Sequence, residues 1–169
     1  MKLILRLLLL VATFIGTSTW ADWQTQDEHW YGMTIDGAKS GWENVVLETD
    51  GDLLRTTNSG QMTISRDGIV ISIKVTSQFV ETEEGVPVSV KSVQEAMGQS
   101  SETTWVFKKD NIEMTSIAGG KPILKTIPLP DAVWLTPQAV KRMFLSKINE
   151  GATEITYQTM SPELGPKAV

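Results

Sequence analysis

The chain has no cysteine and a single histidine, His29, in 169 residues. The first absence excludes disulfides, thiolate nucleophiles, thiolate metal sites and redox motifs. The second excludes metal sites built from several imidazoles. Basic residues are also short, with 15 Lys and Arg against 20 Asp and Glu and a net charge of −5. That balance argues against nucleic acid and anionic membrane surfaces as partners, because both favour basic patches. Without disulfides, a fold outside the cytoplasm must be held by packing alone.

The one long apolar run lies at the start. Lys2 and Arg6 give a short basic beginning, and Leu7 to Gly16 form an apolar stretch too short to span a bilayer. Thr17-Ser18-Thr19-Trp20-Ala21 follows, with small residues at Thr19 and Ala21. This is the pattern of a secretory signal peptide over residues 1–21, cleaved after Ala21. The expected location is therefore periplasmic or extracellular, with the signal peptide as the only membrane contact. Cleavage removes 21 of 169 residues and leaves 148, and loss of Lys2 and Arg6 takes the net charge from −5 to −7. A chain of that length makes one domain, residues 22–169, and buries roughly two thirds of its unfolded surface.

That domain reads as strands punctuated by turn residues. Strands are expected over 29–36, 42–49, 53–65, 69–79, 86–96, 103–108, 112–117 and 123–127. The turns between them fall at Gly37–Gly41, Asp50-Gly51-Asp52, Asp67-Gly68, Glu81–Gly85, Asp110-Asn111 and Gly119-Gly120. The clearest strand places Ile69, Ile71, Ile73, Val75 and Phe79 on one parity, with Ser72, Lys74, Thr76 and Gln78 on the other. Period two of this kind describes a sheet with one face on a core and one in water.

One segment has helical spacing instead. Thr136 caps it, Pro137 sits at its first position, and Ala139, Val140, Met143, Phe144 and Ile148 share a face. Lys141, Arg142 and Lys147 are expected to face away, and Gly151 to end the helix in the left-handed conformation. A ninth strand is expected over 152–160. The fold class is α+β, mostly β: a curved antiparallel sheet or half-barrel of about nine strands with one amphipathic helix packed on it.

The stretch "WYGMTIDGAKSGW", the strand region "GIVISIKVTSQFVETEEGVPVSV", and "LPDAVWLTPQAVKRMFLSKINEG" followed by "ITYQTMSPELG" together resemble one family. It is the β-rich N-terminal region of bacterial exported transglutaminase-like proteins, and the likeness covers most of residues 29–165. In that family the region precedes a papain-like core with a Cys-His-Asp triad. No residue here matches that triad, so the resemblance implies an accessory, interaction or positioning role. The implied partner is a transglutaminase-like core or another envelope protein. The closing "TYQTMSPELGPKAV" reads as the approach to a further strand, which fits the N-terminal part of a longer protein. At the level of architecture alone the chain is also similar to periplasmic lipoprotein carriers, whose concave sheets take an acyl chain. Fold does not specify function, so a carrier for a lipid or other apolar ligand stands as the alternative.

Gly37 and Gly41 resemble a phosphate cradle, but no strand-to-helix transition follows, so "YGMTIDGAKSGW" is a hairpin. His29 beside Asp27 and Glu28 has the makings of an oriented base, yet no nucleophile can be named for it. Asp50 and Asp52 could begin a calcium loop, but Leu54 and Thr56 occupy positions that need oxygen ligands. Glu81, Glu83 and Glu84 read as a solvated acidic turn. Gly119-Gly120-Lys121 is not a phosphate loop, since Pro122 follows where Ser or Thr is required. Catalytic, cofactor and metal residues are therefore assigned to none, and a Ser or carboxylate enzyme remains the third function class. Ile71, Ile73, Trp105, Phe107, Val140, Met143, Phe144 and Ile148 are expected to fill the space between sheet and helix. If a gap remains there, they line an apolar ligand pocket.

Overall fold

Short turns set the topology. A computed structural model describes residues 22–160 except 67 and 132, together with all side chains of that range but those of Arg66 and the two omitted residues. The expected signal peptide and the residues after Met160 lie outside the described range. β1 (Gln24–Ile35) and β2 (Ala38–Asp50) are joined by Asp36-Gly37, with φ of 50° and 79°. Two successive positive φ values define the turn whose twist matches a hairpin, and Asp-Gly adopts it readily. The reversal is thus two residues long, not the five of Gly37–Gly41. Gly41 lies inside β2, paired with Met33 and Met62. A Cβ at Gly41 would strike the backbone carbonyl of Gln61, so this glycine serves close approach rather than turning.

The same economy continues along the chain. β3 (Leu53–Arg66), β4 (Ile69–Thr82), β5 (Pro87–Ala96), β6 (Gln99–Phe107), β7 (Asn111–Ala118) and β8 (Lys121–Pro128) follow in sequence order. The sheet order is β1-β2-β3-β4-β5-β6-β7-β8, antiparallel throughout, curved and not closed. Arg66 pairs with Ile69, so the hairpin expected at Asp67-Gly68 forms, although Asp67 itself lies outside the described residues. Met97-Gly98 supplies a further turn, and β6 accordingly starts at Gln99, four residues before the expected Thr103.

Cross-strand register sorts side chains into rows on the inner face. Thr56, Phe79, Val90, Trp105 and Met114 form one row across β3 to β7. Phe79, Val90, Trp105, Ile112 and Met160 are the buried core, with Phe107, Met114, Leu129 and Trp134 packed against it. Each fully buried side chain of this size contributes about 1.5–3 kcal/mol. The core thus occupies one end of the inner face, at the turns 51–52, 83–86 and 108–110.

Its cover is not the expected one. Trp134, from the segment after β8, contacts Phe79 and Phe107 with ring centroids 6.3 and 5.8 Å apart. Met160 closes the core from the other side of the helix in sequence. The helix α1 (Pro137–Asn149) has no fully buried residue. Its Phe144 meets Tyr157 edge-on at 5.3 Å, and its Ile148 is 60% exposed. Lys141 does not face away but reaches Asp27 of β1, and the Arg142 guanidinium lies beside Gly85.

Residues 152–160 form no strand. Leu135 makes an isolated parallel bridge with Thr159, in which the Leu135 N–H donates to the Gln158 carbonyl at 2.8 Å. The sheet therefore has eight strands rather than nine. This segment instead pins Met160 over the core. The helix ends as expected. Gly151 has φ 78°, its N–H donates to the Ile148 carbonyl, and that of Ala152 donates to the Lys147 carbonyl. These two bonds make a Schellman motif.

Candidate functional site

The inner face divides into three bands. Above the covered core lies a polar row of Asn58, Ser77, Ser92, Thr103 and Ser116, drawn from five neighbouring strands. Ser77 and Ser92 are buried, and the hydroxyls of Thr103 and Ser116 lie 3.4 Å apart. Beyond it come Gly60, Val75, Gln94, Ser101 and Ala118, then Met62, Ile73, Ala96 and Gln99, then Ile64 and Ile71. This third band is largely apolar on β3 and β4, and neither α1 nor the Trp134 segment is among the residues lining the cavity at those two strands. That cavity, of about 390 Å³, is lined by Met33, Glu43, Asn58, Gly60, Met62, Ile73, Val75 and Ser77, with Gln61 at its margin.

The eight residues expected between sheet and helix do not gather in one place. Trp105 is 1% exposed and Phe107 packs beside it, both in the core. Val140, Met143 and Phe144 are half-buried on α1, while Ile148 is exposed. Ile71 and Ile73 stand in the open band, and Ile73 alone of the eight lines the cavity. The methionines 33 and 62, with Glu43, went unnoticed in the sequence. Only the register that sets Gly41 opposite both methionines brings them together.

The His29 imidazole does meet Asp27. Its Nε2 lies 3.0 Å from Asp27 Oδ2, and Lys141 Nζ donates to the same oxygen at 3.2 Å. The hydrogen bond from Lys141, and then that from His29, hold the Asp27 carboxyl below its ordinary 3.8. Glu28 faces the opposite side of β1, where it accepts from Trp30 Nε1 and from Asn44 Nδ2, each at 2.9 Å. Among the described residues no serine or threonine hydroxyl is hydrogen-bonded to His29. The group ties the helix to the first strand. A depressed folded pKa means stability that is present above about 3.8 and lost as pH falls through the lower folded value. Asp27→Asn is expected to remove that component, lowering stability slightly at neutral pH and leaving it unchanged at low pH, so that the fall in melting temperature on acidification below pH 4 becomes shallower.

The acidic turn splits in two. Glu83 and Glu84 are exposed as expected, but Glu81 is wholly buried. The reading of all three as a solvated turn fails for Glu81, which continues the inner parity of β4 beneath the start of α1. Its Oε1 accepts the Gln138 backbone N–H at 2.9 Å. Thr136 stands at the N-cap with extended backbone, yet its hydroxyl makes no capping bond. The cap comes from a carboxylate on a distant strand, where the positive end of the helix dipole favours it. Gln138 Nε2 in turn donates to Thr56 Oγ1 at 3.0 Å. Glu81 Oε2 and Thr136 Oγ1 are buried without a partner.

On the outer face, Trp30 and Trp42 sit diagonally across the first hairpin with centroids 5.3 Å apart. Arg55 forks onto Glu48 at 2.7 and 2.8 Å and stacks over Trp23 at 4.3 Å. Both are strand-pairing devices. Among the described residues, no three His, Asp or Glu side chains gather as metal ligands, and no helix is long and apolar enough to cross a membrane. Compared with known proteins, the chain matches no family model, no curated protein and no solved structure.

Proposed function

We propose that the chain is an exported, non-catalytic β domain that serves interaction or positioning beside a transglutaminase-like core, using the uncovered band of its inner face. The observation that carries this reading is that the chain builds a long two-sided sheet of which the described residues cover one end. Apolar surface left open next to a polar rim marks a place where something binds. The polar row of Asn58, Ser77 and Ser92 supplies that rim.

A second reading, a carrier for a lipid or other apolar ligand, is favoured by the cavity of about 390 Å³ among Met33, Met62, Ile73 and Val75. It is within the usual range for ligand pockets. One experiment serves both readings. The mature chain is titrated with a transglutaminase-like catalytic core and, separately, with an apolar environment-sensitive dye. Ile73→Asp is compared with Lys74→Asp, which alters the outer face instead. Binding abolished by the first substitution and kept by the second is the expected result. A core that never binds sinks the first reading, and a dye whose emission never changes sinks the second.

A further inference from the structure

The cavity on the open band contains one charged group. Glu43 lies on β2 between Tyr31 of β1 and Gly60 of β3. The residue lines the cavity together with Met33, Met62, Ile73 and Val75. The residue is half-buried, and among the described residues it has neither an ion pair nor a side-chain hydrogen bond. The carboxylates of Asp27, Glu28, Glu48, Glu81, Glu102, Glu113 and Glu150 all have partners. A carboxylate without a partner, set among apolar side chains, attracts an incoming cation.

We infer that the cavity is a binding site for a single-chain cationic amphiphile, with the positive head group on Glu43 and the alkyl chain along β4. The inference rests on the carrier reading and adds to it the charge of the ligand. The geometry supplies both halves. From Val75 through Ile73 and Ile71 to Ile69, apolar side chains recur on the inner parity of β4. At about 3.4 Å per residue this is a track roughly 20 Å long, suited to an extended alkyl chain. Gly60 adds no side chain to the cavity, and a Cβ there would come within 3.8 Å of the Met33 methyl. Methionines are unbranched and polarizable, so Met33 and Met62 adapt to a chain of no fixed shape. Asn58 and Ser77 place hydrogen-bonding groups at the head-group end. Lys74, the base nearest in sequence to this track, belongs to the outer face.

The test is calorimetric titration of the mature chain with three dodecyl probes below their micellar concentrations: dodecyltrimethylammonium, dodecyl maltoside and dodecanoate. The cation is expected to bind about tenfold more tightly than dodecanoate, a difference of about 1.4 kcal/mol. Glu43→Gln brings that ratio close to one. Glu95→Gln removes the same charge from the outer face and leaves the ratio unchanged. Equal binding of all three probes overturns the inference and leaves the carrier reading standing. No binding of any probe overturns both. A preference that survives Glu43→Gln, or that falls equally with Glu95→Gln, assigns the selectivity to overall negative charge and also overturns the inference.

Discussion

Trp105→Ala is expected to destabilise the domain by about 3–5 kcal/mol, the largest effect of any single truncation. Typical domains have only about 5–15 kcal/mol in total, so the variant is expected to unfold at much lower urea concentration, with an unchanged slope. The reason is position. Trp105 stands in the middle of the core row, between Val90 on β5 and Met114 on β7, and is 1% exposed. Removing it leaves a hole that the two flanking strands cannot close while they remain hydrogen-bonded. Its indole N–H, however, is buried without a partner. Trp105→Phe therefore removes an unsatisfied donor together with some volume, and the two effects oppose one another. It is expected to cost less than half as much as the alanine variant. Urea unfolding followed by circular dichroism measures both, and a phenylalanine variant as unstable as the alanine one would show that the indole N–H has a partner after all.

Glu81→Ala is expected to loosen the helix more than the sheet. The carboxylate supplies a charge-assisted bond to the Gln138 N–H, and such bonds contribute about 1.5–3 kcal/mol. With no fully buried side chain on α1, apolar packing cannot make up that loss. Amide hydrogen exchange is the appropriate measurement. The amides of residues 138–144 are expected to exchange about 10- to 100-fold faster, while those of β3 to β6 change much less. Glu81→Gln keeps an acceptor oxygen at the same place and is expected to retain most of the protection. If the alanine variant speeds exchange uniformly across sheet and helix, Glu81 supports the core rather than the cap.

The strands were legible because the signals that define them are local. Ile71, Ile73 and Val75 alternate with Ser72, Lys74 and Thr76, and that order alone fixes which side of β4 faces inward. Gly68, Gly120 and Gly151 mark reversals in their own neighbourhoods. Glu81 was not legible, because beside Glu83, Glu84 and Gly85 it has the composition of a wet turn. Its burial depends on Gln138, 57 positions away. The helix misled for a related reason. Its apolar spacing is real, but the end of the sheet it meets presents Asp27, Thr56 and Glu81, so Lys141 and Gln138 turn towards the sheet and Ile148 away. The cavity escaped notice because a methionine pair 29 positions apart has no signature until register is known. Its open neighbour Ile73 was found only because it lies on a strand with clean alternation.

The unbroken strand order has a kinetic consequence. Every strand bonds only to those that precede and follow it along the chain, and most connections are two to four residues long. Closing such short loops costs little entropy, and low contact order speeds folding. The sheet is therefore able to zip from any of its hairpins, without the slow long-range search of a Greek key. Among the described residues, large separations are spanned where the segment after β8 returns to the sheet, with Trp134 and Met160 meeting Phe79 and Trp105, Gln138 meeting Glu81 and Thr56, and Lys141 meeting Asp27. The rate-limiting event is expected to fall on that capping step, at the opposite end of the sheet from the surface assigned to binding.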